Sequence, residues 1–135
     1  MSTSTAYISP QAYVSQDATI GPGTVVEPFA FIEANVVIGA NCWVGPHAII
    51  HSNTTLGDSC KVFSGAVVGA IPQDLKFNGE ASTVEIGNHT VIRECVTINR
   101  GTADRMITKV GSDCLLMAYC HLAHDVCIGD HVIIA

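Results

Sequence analysis

His121-Leu122-Ala123-His124-Asp125 sets two imidazoles three residues apart, with a carboxylate directly after the second. Imidazole titrates near neutrality, so a neutral ring can take a proton from a hydroxyl. A carboxylate beside it can hold the ring in one tautomer and stabilise the imidazolium that forms. Asn99, Arg100, Gln73, Asp74 and Lys76 are further candidates, for reasons of register given below. Each has a plainer reading. Asp125 suits a bend, a loop aspartate such as Asp74 commonly just faces water, and His47, His51, His89 and His131 read as solvated or subunit-contact residues. Zinc needs three protein ligands and an open position; His121 and His124 offer two, and no third is evident.

The elements that must position these groups show in the period. From Ile8 to Val68 every sixth residue is aliphatic: Ile8, Val14, Ile20, Val26, Ile32, Ile38, Val44, Ile50, Leu56, Val62, Val68. The residue four further on is small throughout: Ala12, Ala18, Thr24, Ala30, Val36, Cys42, Ala48, Thr54, Cys60, Ala66. Period six fits neither an amphipathic helix nor an alternating strand. It predicts an all-β parallel β-helix of hexapeptide repeats, each hexad one short strand and one bend. Aliphatic-Gly pairs at Ile20-Gly21, Ile38-Gly39 and Leu56-Gly57 recur every eighteen residues, so three hexads close a coil.

The rhythm slips twice. Ile86-Gly87 follows Leu56-Gly57 by thirty residues and Val110-Gly111 follows by twenty-four, which predicts insertions of twelve and six residues. The first loop spans about 70–83, the second about 102–109, within one β-helix domain over 1–135. Val14, Ile32, Ile50, Val68, Ile98 and Leu122 then share one face. Stacked coils lie about 4.8 Å apart, so both loop roots and His124 gather within about 10 Å along one edge, with Arg100 beneath His124. Two loops and an imidazole on an otherwise smooth prism make a cleft.

Composition excludes several classes. The net charge of −6 argues against a nucleic-acid or anionic-membrane surface. No basic leader opens Met1–Tyr7 and no apolar run spans a bilayer, so the sequence reads as cytoplasmic and not integral to a membrane. Cys42, Cys60, Cys114 and Cys120 fall on the small inward position and there is no CxxC, which reads as buried, reduced thiols.

Specific stretches match a known family. Gln73-Asp74-Leu75-Lys76-Phe77-Asn78-Gly79-Glu80, Val84-Glu85-Ile86-Gly87, Ile92 through Thr102, Val110 through Met117 and His121 through Asp125 resemble the bacterial UDP-N-acetylglucosamine O-acyltransferases. The resemblance implies a left-handed coil and a homotrimer with sites between subunits. It implies transfer of a 3-hydroxyacyl group from acyl carrier protein to the sugar 3-hydroxyl, the first step of lipid A synthesis. The carrier's phosphopantetheine arm holds the thioester, and no other cofactor or metal is implied. His124 matches the family's general base and Asp125 its supporting carboxylate. Gln73, Asp74, Lys76 and His121 match residues lining the cleft, and Asn99 stands where some members carry His. Members of the family are nearly twice as long, so later coils and a C-terminal helical region, with the basic carrier-docking residues, are expected to be missing here. Three other readings stay open: the related glucosamine N-acyltransferase, which lacks the Gln-Asp-Leu-Lys loop; a γ-class carbonic anhydrase with zinc; and a non-catalytic β-helix scaffold.

Overall fold

Paired with the residue before it, nearly every aliphatic residue of the hexad series forms a strand of two to four residues. The computed structural model describes residues 5–135, so of the lead-in Met1–Tyr7 the first four residues lie outside the described residues. Tyr7 already belongs to the first strand, β1 (Tyr7–Ile8). All pairings are parallel, and each strand pairs with the third one along, which gives sheets of seven, six and six strands. The registers match the spacings: Val25 pairs Trp43, Lys61 pairs Val91, and Val91 pairs Leu115, steps of eighteen, thirty and twenty-four.

The core is a thin aliphatic column. Ile32, Ile38, Ile50, Leu56, Ile92, Ile98 and Leu116 are fully buried, with Ala30, Cys42, Ala48, Cys60 and Ala66 between them. Cysteine and threonine on the small position do more than fill space. Cys42 Sγ reaches Gly57 O at 3.1 Å and Cys60 Sγ reaches Gly87 O at 3.0 Å. Thr24 Oγ1 and Thr90 Oγ1 donate likewise to Gly39 O and Gly111 O. Each satisfies a carbonyl of the next coil that the strands leave unpaired.

The recurring glycines answer to close stacking. A Cβ on Gly39 would lie 2.7 Å from Gly57 O, and one on Gly87 2.6 Å from Gly111 C. A second device the period did not reveal is the bend. Three residues beyond the inward aliphatic, the backbone enters the left-handed region, as at Asn35, Asn41, His47, Asn53, Ser59, His89, Asp113, Asp125 and His131, with φ between 56° and 67° at these nine. His47, His89 and His131 are thus bend residues.

The site face comprises β2 (Tyr13–Val14), β5 (Phe31–Ile32), β8 (Ile49–Ile50), β11 (Val67–Ala70), β14 (Thr97–Asn99) and β17 (His121–Leu122). Both loops leave from this face. Each returns sooner than the period suggests, because β12 (Thr83–Ile86) and β15 (Ile107–Val110) are four residues long and pair throughout. Val84 and Thr108 add a further buried inward position two residues before the expected aliphatic. The loops proper are therefore 71–82 and 100–106.

Candidate active site

Leu122 points into the core and turns the chain so that His124 and Asp125 follow at the bend. The His124 side chain is 33% exposed and Asp125 is 7% exposed, so the ring reaches solvent while the carboxylate does not. His124 Nδ1 lies 2.9 Å from Asp125 Oδ2. Burial alone pushes the Asp125 carboxyl up, but donors outweigh it. Thr102 Oγ1 donates to Oδ2, Thr102 N donates to Oδ1 at 2.9 Å and Arg105 N at 3.2 Å. With His124 these hold the carboxyl at about 2. It is a carboxylate at neutral pH and only accepts. Nδ1 therefore donates to it, and Nε2 is turned toward the cleft.

Across the ring stands the first loop. Asp74 Oδ2 is 3.8 Å from His124 Nε2 and 3.7 Å from Lys76 Nζ. The Lys76 backbone N–H, 2.9 Å from Asp74 Oδ1, is the main reason the Asp74 carboxyl lies below its ordinary range. Asp74, Lys76, Thr102, Ala103, Asp104 and His124 enclose a cleft of about 490 Å³. Both insertions and the imidazole thus meet as register predicts.

Other candidates lie elsewhere. Gln73 is exposed and is not part of the cleft wall. His121 points outward from β17 with Nδ1 2.8 Å from Thr97 Oγ1. Asn99 is 5% exposed and paired opposite Ala70 in the ladder, after a register shift at Gly69. Arg100 does not lie under His124 in the cleft: its guanidinium sits 5.3 Å above the Phe77 ring and donates to Glu80 O at 3.3 Å, pinning the first loop. It lines a second recess of about 350 Å³ with Glu33, His51, Gly69, Ala70 and Ile71. His51 is therefore not a plain surface histidine: its Nδ1 is 3.3 Å from Glu33 Oε2 at the root of the first loop. Thr102 and Thr108 escaped sequence reading, since their partner Asp125 is 23 and 17 residues away. Among the described residues no three His, Cys, Asp or Glu side chains stand together as a metal site requires.

Residues 35–70 and 107–135 match the family model described as bacterial transferase hexapeptide (six repeats). The acyl-[acyl-carrier-protein]–UDP-N-acetylglucosamine O-acyltransferase of Gloeothece citriformis is 57% identical over 74 residues, 55% of this chain and 27% of that protein. The solved UDP-N-acetylglucosamine acyltransferase of Bacteroides fragilis superposes with a TM-score of 0.91 at 49% identity, over 93% of this chain and 49% of that one. The chain is built of hexapeptide repeats and is similar to the UDP-N-acetylglucosamine O-acyltransferases. The Campylobacter jejuni acyltransferase is also similar, with a TM-score of 0.88 and 42% identity over 93% of this chain and 49% of that one. This chain spans about half the length of these solved relatives. The fold is the left-handed parallel β-helix that the resemblance implies.

The Asp125 environment sets a pH dependence. A carboxyl whose folded value lies below its unfolded value of about 3.9 stabilises the fold above that value. The contribution is lost as pH falls through the folded value of about 2. Asp125→Asn is expected to lower the urea midpoint at neutral pH, with the gap to the parent narrowing between pH 4 and 2. A gap that stays constant down to the lower limit would show that the Asp125 carboxylate does not supply this stability.

Proposed function

We propose that the chain supplies the coils of an acyltransferase that moves a 3-hydroxyacyl group from acyl carrier protein to the 3-hydroxyl of UDP-N-acetylglucosamine, the first step of lipid A biosynthesis. The observation that carries this reading is His124 itself, its Nδ1 held by Asp125 and its Nε2 open to a cleft walled by both insertions. The acyltransferases it resembles point the same way.

In this reading the sugar oxygen attacks the thioester carbonyl as His124 Nε2 takes its proton. An alcohol is a poor nucleophile at neutral pH without such a base. The tetrahedral oxyanion collapses and the carbon–sulfur bond breaks. The departing thiolate of the phosphopantetheine arm takes the proton back from the imidazolium, so the base is regenerated and no cofactor of the protein's own is consumed. Asp74 and Lys76 bind the sugar from the opposite wall. Asn99, packed in the ladder, supports the wall rather than touching the sugar. Gln73 and His121 lie outside this cleft, and they serve the substrate where a neighbouring subunit closes the site. A homotrimer with sites between subunits meets that need, and cytoplasmic placement fits the carrier and the nucleotide sugar.

The test incubates the full-length protein that carries these coils with UDP-N-acetylglucosamine and acyl carrier protein bearing 3-hydroxyacyl chains of several lengths. The 3-O-acylated nucleotide is expected. Acylation only of a free amine would favour the N-acyltransferase reading, and no product at any chain length would overturn the assignment. Sedimentation at micromolar concentration is expected to give a trimer, and a clean monomer would count against sites shared between subunits.

A further inference from the structure

Thr102 lies in the second loop, where a threonine ordinarily faces water, yet it is 8% exposed. Its hydroxyl and its amide donate to different oxygens of Asp125, Oγ1 to Oδ2 and N to Oδ1. Oδ2 is also the oxygen that faces His124 Nδ1, and Oδ1 also accepts from Arg105 N. The hydroxyl is itself oriented, because Thr102 Oγ1 accepts from Asp104 N at 3.2 Å, which directs its own proton to the carboxylate. Thr108 Oγ1 accepts from Asp125 N at 2.9 Å and fixes the other end of the residue. The insertion's two ends are pressed together: a Cβ on Gly101 would collide with the backbone nitrogen of Ile107.

A carboxylate free to turn about its Cβ–Cγ bond orients a neighbouring imidazole weakly. Here both oxygens are held. We propose that Thr102 is a positioning residue: through Asp125 its hydroxyl fixes the His124 ring with the proton on Nδ1 and the lone pair on Nε2 toward the cleft. The inference rests on the reading of His124 as the base and deepens it. The second insertion then works as a clamp on the acid as well as a wall of the cleft. Thr102→Val keeps the volume and the amide but removes the hydroxyl, whereas Thr102→Ser keeps the hydroxyl.

Nitrogen-15 spectra of the His124 ring, taken on this chain, read the tautomer without any turnover. The parent and Thr102→Ser are expected to show the Nδ1–H form alone, and Thr102→Val a mixture of the two tautomers. In the full-length transferase Thr102→Val should lower kcat by about tenfold or more with KM nearly unchanged. Serine should restore it to within a few-fold, and the loss should vanish in a His124→Ala background. Should the valine chain not fold, exchange of the Thr102 hydroxyl proton with water in the parent decides: slow exchange is expected, and exchange as fast as in an exposed threonine overturns the proposal. An unchanged tautomer in Thr102→Val, no rescue by serine, or a loss that adds to that of His124→Ala also overturns it. Absence of all transferase activity would instead sink the acyl-transfer reading, while the ring spectrum still judges Thr102.

Discussion

Replacing His124 by alanine is expected to lower kcat of a full-length transferase carrying these coils by at least about a hundredfold, because loss of a general base commonly costs about 10²–10⁴ in rate. Affinity for the sugar nucleotide should stay nearly unchanged, since Asp74 and Lys76 remain on the opposite wall. His89, exposed at a bend of another sheet, is the control expected to leave kcat alone. His51 is unsuitable as one, because it lines the recess at the root of the first loop. Steady-state kinetics with isothermal titration of the nucleotide separate the two effects. Equal losses from His124→Ala and His89→Ala, or capture of a covalent acyl-enzyme, would show that another group does the work.

Ile98→Ala is expected to destabilise the fold by about 2–5 kcal/mol, the range for removing a large side chain from a packed core. Ile98 is fully buried and β14 lies between β11 and β17, so the cavity opens directly beneath the strand that leads to Arg100 and Thr102. Val37→Ala, at a position 45% exposed, should shift stability by less than about 0.5 kcal/mol. Urea unfolding followed by circular dichroism measures both. Similar midpoints for the two variants would mean that the inward column does not carry the stability assigned to it.

Most of the fold was legible because one physical demand repeats. Each coil buries one aliphatic and one small residue per hexad, so Ile32, Ile50, Val68, Ile98 and Leu122 announce their face by spacing alone. The two phase slips placed the loops, and parallel stacking then brought Asp74 and His124 to one cleft. Loop ends were less legible. Val84 and Thr108 are inward residues outside the six-residue rhythm, and only strand pairing shows them. Register placed the Arg100 backbone, but its side chain follows local partners, Phe77 and the Glu80 carbonyl, within a loop that has no period. The same limit hid Thr102, whose bond to Asp125 joins a loop to a bend of the next coil, 23 residues on. The resemblance puts His121 beside the cleft, while alternation along β17 turns its side chain outward, where it bonds Thr97.

The left-handed bends have a consequence for where chemistry can arise on such a coil. An L-residue disfavours this conformation, and asparagine, aspartate and histidine tolerate it better than most. Of the thirteen non-glycine residues with positive φ among the described residues, eight are of these three types: Asn35, Asn41, Asn53, His47, His89, His131, Asp113 and Asp125. Backbone sterics alone therefore populate the prism's corners with amides, acids and imidazoles, the groups that move protons and grip sugars. A new reaction on this scaffold would not have to invent its reactive side chains. It would need only an insertion that folds over a corner already carrying one, as the second loop does over Asp125. Catalytic potential in this architecture is a by-product of its geometry, and variation in loop placement is enough to select among its corners.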